Sequence, residues 1–488
     1  MSAFSIPAIV RGELIEKPCV PYPAAGGAPA FEAVDPGAIL ERLPLGNPGT
    51  MQELQSVPLE EILEILAETG HHLGNAGRRH LEAACAAGVA VGGYPASLLR
   101  QSFAALPAIF AKETVREIAA QRVGLDYLDG WVEQKLSDGR RLRIRAFGAR
   151  CLHIPAGNGG LISAITIIRN AITRGDAIVK IPSNDPLTAI AVARCLLEVA
   201  PGHPLTRHLS VAYWRGGDAA LEEPLIRPQN LEKICAWGGF ASIKHIAGYL
   251  QPGLELVALD PKRSATILGP EAFRDEETMR EVALRTACDI GMANQEACAS
   301  ARVIYAMTGT DEEGVAQLER LGQAIYEAMV ALPPHLSTPP TRVDRELRDH
   351  LEASRMIGDW YHVIGGEADE GALIVSRLDE PVDYAPLLSG RVANLVPVDS
   401  LERATRAMNS WTQTVGIYPE SLKRELRDVL PLHGAQRLTS LGYACHVTSA
   451  APQDAIEPLR RLCKWVVEEE CDPAEVFPPW KAPPLGGE

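Results

Sequence analysis

The chain has 488 residues, a formal net charge of -15, and hydrophobic residues at 46% of its positions. A chain of this length can bury a large core and should divide into two or more domains. The acidic excess excludes nucleic acid as the main partner, because neutralising phosphates requires clustered lysine and arginine. It does not exclude an anionic small molecule, which needs only a local basic pocket.

Cysteine and histidine usage predicts neither disulfides nor a metal site. The 10 cysteines are scattered without a C-x-x-C pair, which is typical of free thiols in a reducing compartment. The 12 histidines have no metal-ligand spacing, and the adjacent His71 and His72 are interpreted as part of a solvated helix face. We therefore expect no bound metal.

Two features of the chain predict a cytoplasmic protein. The N-terminus lacks the basic and apolar regions of a signal peptide. The apolar stretch 161–172 is interrupted by Arg169 and Asn170, so we expect no integral membrane segment.

The composition and the hydrophobic periodicity of the sequence divide residues 1–153 into three segments. Residues 1–57 are rich in Pro, Gly and Ala and predict an irregular N-terminal arm or short hairpin with little core of its own. Helical periodicity follows from residue 58. Between residues 130 and 153, alternating side chains and a turn signal at 137–140 predict a hairpin-like segment.

From residue 151 onward, short apolar runs alternate with helical segments, which predicts a parallel sheet covered by helices on both faces. Ligands bind such sheets at the carboxyl ends of the strands, where Gly216-Gly217 and Gly238-Gly239 both lie. The predicted strands are 176–182, 209–214 and 233–237, and the predicted helices are 186–199 and 241–250.

A second α/β unit is predicted for residues 261–450, after the turn at 260–263. The remaining residues, 451–488, predict an amphipathic helix around 459–467 and a Pro-rich tail. The sequence thus predicts an α/β protein with two parallel-sheet domains, 58–260 and 261–450.

Cys298 is the strongest candidate for a reactive side chain. It follows a polar turn with small residues and precedes an apolar run at 303–306. Small neighbours at a strand edge leave room for a substrate carbonyl beside a thiolate. A cysteine is more often a small buried hydrophobic residue, and Cys235 and Cys288 are interpreted in that way.

Three further positions have both a functional and a structural interpretation. Asn158 lies in a glycine-flanked loop, either as an ordinary turn residue or as an amide donor to an oxyanion. Lys180 ends a buried strand, either in an ion pair or against a ligand's phosphate or ribose. The Trp237-Gly238-Gly239 turn is not a G-x-G-x-x-G motif, so the Rossmann fingerprint is missing.

In combination, these segments resemble the aldehyde dehydrogenase superfamily, and more narrowly its acyl-CoA reductase branch typified by the bacterial luminescence fatty-acid reductase. The resemblance covers roughly residues 60–470. The narrower resemblance includes Gly434-Ala435-Gln436-Arg437-Leu438 near the C-terminus. Four motifs support the resemblance to the superfamily. In chain order they are Pro155-Ala156-Gly157-Asn158, Val179-Lys180-Ile181-Pro182-Ser183, Trp237-Gly238-Gly239 and Asn294-Gln295-Glu296-Ala297-Cys298.

The resemblance implies an aldehyde dehydrogenase-like fold in which 58–260 binds a nicotinamide cofactor and 261–450 carries the nucleophile. Cys298 matches the nucleophile, and Asn158 matches the oxyanion-hole amide that works with the Cys298 backbone N–H. Lys180 matches the lysine that holds the adenosine ribose. The cofactor residues implied by the match are Lys180, Ser183, Arg215, Gly216, Gly217, Trp237, Gly238 and Gly239.

The departures from the family pattern concern two glutamates and one ribose contact. The general base of aldehyde dehydrogenases is absent from 257–262, and the later ribose-binding glutamate is absent from 387–391. A missing base fits thioester reduction, which needs no activated water, and would also fit a decayed catalyst. Ser183 stands where NAD-preferring relatives have a carboxylate, which favours NADPH, with Lys180 and Arg215 near the 2′-phosphate. NADH remains possible.

The expected activity is NADPH-dependent reduction of a fatty acyl-CoA or acyl carrier protein thioester to an aldehyde through an S-acyl-Cys298 intermediate. The alternatives are an aldehyde dehydrogenase or acyl-phosphate reductase, and a non-catalytic nucleotide-binding subunit of an acyl-transfer complex. By analogy with the superfamily, we expect a homo-oligomer formed through the N-terminal arm and the segment 130–153. Acyltransferase and synthetase subunits are further candidate partners.

Overall fold

The computed structural model describes residues 4–23, 29–341 and 343–482. Parts of the predicted N-terminal arm (1–3 and 24–28) and of the predicted tail (483–488) lie outside the described residues. No helix in the described part of the chain is both long enough and apolar enough to cross a membrane.

Strands and helices alternate along most of the chain. The strands are β1 (Ser5–Ile6), β2 (Ala8–Val10), β3 (Glu13–Ile15), β4 (Cys19–Tyr22), β5 (Phe31–Val34), β6 (Val132–Lys135), β7 (Arg141–Gly148), β8 (Arg150–Ile154), β9 (Asp176–Lys180), β10 (Leu209–Ala212), β11 (Lys233–Trp237), β12 (Glu255–Leu259), β13 (Arg263–Leu268), β14 (Ala301–Ala306), β15 (Tyr361–Gly365), β16 (Ala372–Ser376), β17 (Val392–Pro397), β18 (Thr412–Tyr418), β19 (Arg437–Ser440) and β20 (Cys463–Glu470). The helices are α1 (Pro36–Ile39), α2 (Met51–Gln55), α3 (Leu59–Gly74), α4 (Arg78–Gly92), α5 (Ala96–Ala105), α6 (Lys112–Arg122), α7 (Leu125–Asp129), α8 (Leu161–Thr173), α9 (Thr188–Val199), α10 (Pro204–Arg207), α11 (Ala219–Leu225), α12 (Phe240–Ala247), α13 (Glu276–Gly291), α14 (Glu312–Val330), α15 (Arg345–Met356), α16 (Leu401–Arg406), α17 (Glu420–Leu426) and α18 (Pro458–Leu462).

The first large sheet has the strand order β12-β11-β8-β9-β10-β2-β3. Its five strands from β8 to β12 are parallel. The chain runs outward from β8 through β9 to β10 and then returns to the other side of β8 for β11 and β12. The crevice between the carboxyl ends of β8 and β11, where the direction reverses, is the position at which such sheets bind ligands.

Both faces of this sheet are covered, which explains why its central strands are continuous apolar runs rather than alternating ones. Helices α3, α4, α8 and α9 form a layer with the buried cluster on one face. Helices α11 and α12 contribute to the cluster on the opposite face. The predicted doubly covered parallel sheet is therefore confirmed.

The second large sheet has the order β15-β16-β17-β14-β13-β18-β19 and is parallel except for β15. Helices α13 and α14 pack on one face. Buried residues of α16 and α17 pack against central strands on the other. The sheet places the start of β14, just after Cys298, in its middle. The predicted boundaries at residues 58, 261 and 451 stay predictions.

The N-terminal residues form a hairpin, but it is not detached from the rest of the chain. Strands β2 and β3 pair antiparallel and extend the first sheet through a pairing of Ile9 with Val211. Ile6 and Ile9 are fully buried in the core beneath that sheet. An ion pair between Arg11 and the buried Asp176 fixes the hairpin further.

The helix predicted around 459–467 is wrong beyond Leu462. Residues Cys463–Glu470 instead form β20, which pairs antiparallel with β7 along its whole length. β7 is paired on its other side with β6 across the predicted turn, so one edge was free for β20. The β-branched Val466 and Val467 favour a strand, and Glu470 forms an ion pair with Arg143 at 2.9 Å.

Candidate active site

A cavity of about 350 Å³ lies between the two large sheets. It brings together Cys298 and Asn158, the two predicted catalytic residues, although 140 positions separate them in the chain. Trp237, from the end of β11, lines the same cavity. The other predicted cofactor residues do not line it.

Three glycines flank Asn158 and allow the backbone conformation of its loop. A Cβ atom on Gly157 would overlap the side chain of Asn184, so a larger residue would require that side chain to move. Gly159 and Gly160 have φ angles of 115° and 72°, in the left-handed region that glycine adopts without strain. Ser102 donates a hydrogen bond to the carbonyl of Gly159 at 3.0 Å. This loop presents Asn158 to the cavity just before α8 begins.

The loop before Cys298 has an unusual backbone. Ala293, Asn294 and Gln295 all have positive φ angles, 51°, 54° and 65°. Such conformations cost non-glycine residues about 1–3 kcal/mol each and persist only where surrounding contacts hold them. They place Cys298 at the cavity wall, where its carbonyl accepts a hydrogen bond from Ser264 Oγ at 2.7 Å.

Two buried amides supply those contacts. Asn294 Oδ1 accepts a hydrogen bond from the backbone N–H of Thr338 at 2.9 Å. Gln295 Nε2 donates to the carbonyls of Ala301 and Val392, each at 2.9 Å, and Gln295 Oε1 accepts from the Val392 N–H at 3.0 Å. The Asn-Gln pair that makes the Cys298 motif recognisable therefore anchors the loop.

The Cys298 side chain opens into the cavity yet is surrounded by protein. This enclosure raises the pKa of its thiol, and the nearby charge of Asp454 raises it further. A hydrogen bond from the Gln413 amide and the positive charge of Arg302 act in the opposite direction and lower the pKa. The sulfur thus has two groups that favour its thiolate.

Arg302 is a cation near the Cys298 sulfur, and its role is not predicted by the sequence. Its guanidinium donates to the carbonyls of Leu388 at 2.9 Å, Ser300 at 3.0 Å and Gln295 at 3.2 Å. These partners are neutral, and among the described residues no carboxylate forms an ion pair with the guanidinium. Its positive charge therefore acts on the Cys298 sulfur and favours the thiolate.

Two carboxyl groups line the cavity, those of Glu296 and Asp454, and neither is a predicted site residue. Burial is the main cause of the raised pKa of both Glu296 and Asp454. Tyr94 donates to Glu296 at 3.4 Å, and Gln413 Nε2 donates to Asp454 Oδ1 at 2.6 Å. Glu296 stood inside the recognised motif. Asp454 had no comparable signal, because it lies far from Cys298 in the chain.

The remaining walls of the cavity differ in character. Arg437 donates to the carbonyls of Ala444 at 2.6 Å and His446 at 3.0 Å, and so holds the loop that forms one wall. This explains the arginine in the C-terminal motif. The opposite wall comes from α5 and the start of α8 and is mainly apolar, with Leu98, Leu99, Leu161, Ile162 and Ile165.

Most predicted cofactor residues lie along the carboxyl edge of the first sheet, outside the cavity. Lys180 ends β9, and its Nζ lies 5.5 Å from the centre of the Trp214 ring. Among the described residues Nζ has no hydrogen-bond or ion-pair partner, and burial lowers its pKa. Ser183 and Arg215 are exposed in the turns that follow β9 and β10.

The glycines at this edge border open space. A Cβ added to Gly216, Gly217 or Gly239 would meet no atom within 4 Å. At Gly238 it would meet Ser242 at 3.3 Å. A ligand can therefore approach three of these four positions closely, and the unpartnered Lys180 lies on the same edge. The residues present fit a bound dinucleotide.

Glu222 holds several groups together at the carboxyl edge of the first sheet, and it is not a predicted site residue. Its side chain is only 1% exposed. It accepts hydrogen bonds from Trp214 Nε1 and the Gly217 N–H at 3.2 Å, and from His245 Nε2 at 2.7 Å and Tyr249 Oη at 3.2 Å. One buried carboxylate thus ties the turn after β10 to α12.

One group of side chains among the described residues has metal-ligand geometry, namely His72, Cys195 and Glu198. His72 Nε2 lies 2.6 Å from Glu198 Oε2, and His80 Nε2 lies 3.0 Å from Oε1, so both carboxylate oxygens have a partner. His72 is half-buried in this cluster, and its predicted place on a solvated face is wrong. The expected absence of a metal stays a prediction.

Known proteins resemble this chain in sequence and in fold. The model of the acyl-CoA reductase (LuxC) family matches residues 54–465. A long-chain acyl-protein thioester reductase of Photorhabdus luminescens is 28% identical over 358 residues, 70% of this chain and 67% of that protein.

Solved structures establish the fold. NADP-dependent glyceraldehyde-3-phosphate dehydrogenase from Bacillus halodurans C-125, complexed with NADP, superposes with a TM-score of 0.69 at 13% identity, covering 96% of this chain and 99% of that one. Lactaldehyde dehydrogenase from Escherichia coli gives 0.69 at 15% identity, covering 96% and 100%. The predicted aldehyde dehydrogenase-like fold is confirmed.

Proposed function

Since the chain belongs to the acyl-CoA reductase (LuxC) family, we propose that it reduces a fatty acyl thioester to an aldehyde through an S-acyl-Cys298 intermediate. The observation that carries the proposal is one shared cavity. Cys298 and Asn158 face it together, and the wall formed by α5 and α8 is apolar. The relatives named as long-chain acyl-protein thioester reductases support the substrate class.

The first step is acyl transfer to Cys298. The thiolate attacks the thioester carbonyl, and the pantetheine thiol of coenzyme A or an acyl carrier protein leaves. The Asn158 amide and the Cys298 backbone N–H stabilise the tetrahedral oxyanion, and each well-placed donor contributes about 3–4 kcal/mol. Arg302 and Gln413 favour the thiolate against the enclosure that raises the pKa of the thiol.

The nicotinamide cofactor is held along the carboxyl edge of the first sheet. Lys180 and Arg215 supply positive charge, and Ser183 brings no carboxylate that would repel a 2′-phosphate, so NADPH is the preferred form. The N-terminus of α12 follows Gly239 without a side-chain cap, which leaves its backbone N–H groups available to the pyrophosphate. When bound, the cofactor supplies the reducing equivalent for the acyl group.

The missing general base agrees with reduction. In the region where aldehyde dehydrogenases carry it, β12 ends at Leu259 and Asp260 contacts Lys262 at 3.7 Å. No glutamate stands in that region to activate water for hydrolysis of the acyl-Cys298 thioester. An aldehyde dehydrogenase or an acyl-phosphate reductase would instead use free aldehyde or a carboxyl phosphate.

The experiment that tests the proposal is NADPH oxidation with a ladder of acyl-CoA esters, with NADH alongside. We expect turnover that is lost in Cys298→Ala and retained in Cys288→Ala, whose cysteine lies on α13 outside the cavity lining. Turnover in Cys298→Ala would refute the intermediate. Activity only with free aldehyde or a carboxyl phosphate would favour the alternative enzymes. Tight NADPH binding without turnover of any ester would favour a subunit that needs a partner.

We also propose that the chain forms homo-oligomers through the sheet of β6, β7 and β20. The support is the exposure of large apolar side chains on or beside that sheet: Trp131, Val466, Val467, Phe477 and Trp480. Light scattering of the purified chain should give at least twice the monomer mass, and a monomer at micromolar concentration would refute this.

A further inference from the structure

The turn around Asp454 has a shape that needs support. Gln453 and Ile456 exchange two backbone hydrogen bonds, each of 2.9 Å, so Asp454 and Ala455 form a tight two-residue turn. Both central residues have positive φ angles, 53° and 59°. Aspartate tolerates this conformation better than alanine does. The turn carries Asp454 to the lining of the cavity that contains Cys298.

Two side chains from other elements hold the turn in place. Gln413, on β18, donates to Asp454 Oδ1 at 2.6 Å. Arg169, on α8, donates to Gln453 Oε1 at 3.2 Å, and its guanidinium lies 5.8 Å from the centre of the Trp237 ring. Arg169 is 5% exposed. The carboxyl group is thus fixed relative to both large sheets.

Gln413 also influences the reacting sulfur. Its amide favours the thiolate and so lowers the pKa of Cys298. Burial raises the pKa of Asp454, while Gln413, Lys262 and Arg169 lower it. A carboxyl group whose protonated form is favoured by burial can donate a proton, as general acids do when their pKa is raised toward neutrality.

We propose, on the basis of the function proposed above, that Asp454 is the general acid that protonates the departing thiol when Cys298 is acylated. The Cys298 sulfur forms a bond to the carbonyl carbon, and the bond from that carbon to the pantetheine sulfur breaks. The pantetheine sulfur takes the electron pair of the broken bond and the proton of Asp454. Solvent then returns a proton to the carboxylate.

An alkyl thiol needs this help. Its pKa is about 8.5 in water, and a cavity with an apolar wall disfavours the free thiolate further. Glu296 lines the same cavity, where its carboxylate accepts a hydrogen bond from Tyr94. Glu296 is therefore the matched control for Asp454.

The test compares two acyl thioesters that differ only in the leaving thiol. One is an acyl-CoA, and the other is an aryl thioester of the same acyl chain, whose acidic thiol departs as a stable anion without a proton. Thiol release in a single turnover is followed without nicotinamide cofactor. Asp454→Asn retains the side-chain shape and suits the left-handed turn. Asp454→Glu restores a carboxyl group.

We expect Asp454→Asn to slow thiol release from the acyl-CoA by about 10²-fold or more and to leave release from the aryl thioester unchanged. Asp454→Glu should recover part of the acyl-CoA rate. Glu296→Gln should change both esters by the same factor. Alkylation of Cys298 by iodoacetamide in Asp454→Asn at a rate no lower than in wild type would establish that the variant is folded and its sulfur accessible, because losing the charge of Asp454 favours the thiolate.

Equal slowing of both esters by Asp454→Asn would overturn the assignment, because a residue that only supports the turn affects both alike. A normal acyl-CoA rate in Asp454→Asn would overturn it as well. Wild-type protein that releases thiol from neither ester would refute the proposed function itself, and the role of Asp454 with it.

Discussion

Gln295→Met tests whether the buried amide beside Cys298 holds the nucleophile loop. Gln295 is 1% exposed, and its side chain makes three hydrogen bonds, two of them to Val392. Each such bond contributes about 1 kcal/mol net, so losing three should lower the free energy of unfolding by about 3 kcal/mol. Methionine has nearly the same length, which keeps the cost of altered packing below about 1.5 kcal/mol.

The assay is urea unfolding, with Gln323→Met as the matched control. Gln323 lies on the exposed face of α14, where its side-chain amide donates to Glu327, so this variant should stay within about 0.5 kcal/mol of wild type. Alkylation of Cys298 is followed in parallel, and its rate should change in Gln295→Met alone. Equal stability of the two variants would refute the view that Gln295 offsets the strain of the left-handed segment.

Three further predictions concern the cavity and the cofactor edge. Asn158→Ala should lower kcat by about 10²–10³-fold, as expected for a lost oxyanion donor, and an unchanged kcat would contradict that role. Arg302→Gln removes the cation that favours the Cys298 thiolate, so the pKa of the thiol should rise and the pH profile of iodoacetamide alkylation should move to higher pH; an unmoved profile would count against it. Ser183→Glu places a carboxylate at the proposed 2′-phosphate position and should raise the KM for NADPH without raising that for NADH, whereas an equal change in both would contradict the proposed specificity.

Local patterns predicted the central strands and the two catalytic candidates. The apolar run that ends at Lys180 has no alternation, because helices cover both faces of its sheet, and this is visible in the sequence. Cys298 and Asn158 could be predicted because their small and glycine-rich neighbours are visible in the sequence. Those neighbours are required by backbone geometry, as the left-handed φ angles beside both residues show.

Features that depend on distant partners were not predictable. Residues 459–467 have apolar spacing that suits a helix, and pairing with the free edge of β7 makes Cys463–Glu470 a strand. His72 forms a hydrogen bond with Glu198, which lies 126 positions away in the chain. Asp454 reaches the Cys298 cavity through a tight turn whose partners, Gln413 and Arg169, belong to other elements. No local pattern carries such information.

The most direct test of the central claim is mass spectrometry of the protein after incubation with a long-chain acyl-CoA in the absence of reductant. We expect a mass increase of one acyl group on the peptide that contains Cys298. The adduct should disappear in Cys298→Ala and persist in Cys445→Ala, which removes the other thiol lining the cavity. An acyl group on Cys445, or an adduct that survives in Cys298→Ala, would contradict the assignment of Cys298 as the nucleophile.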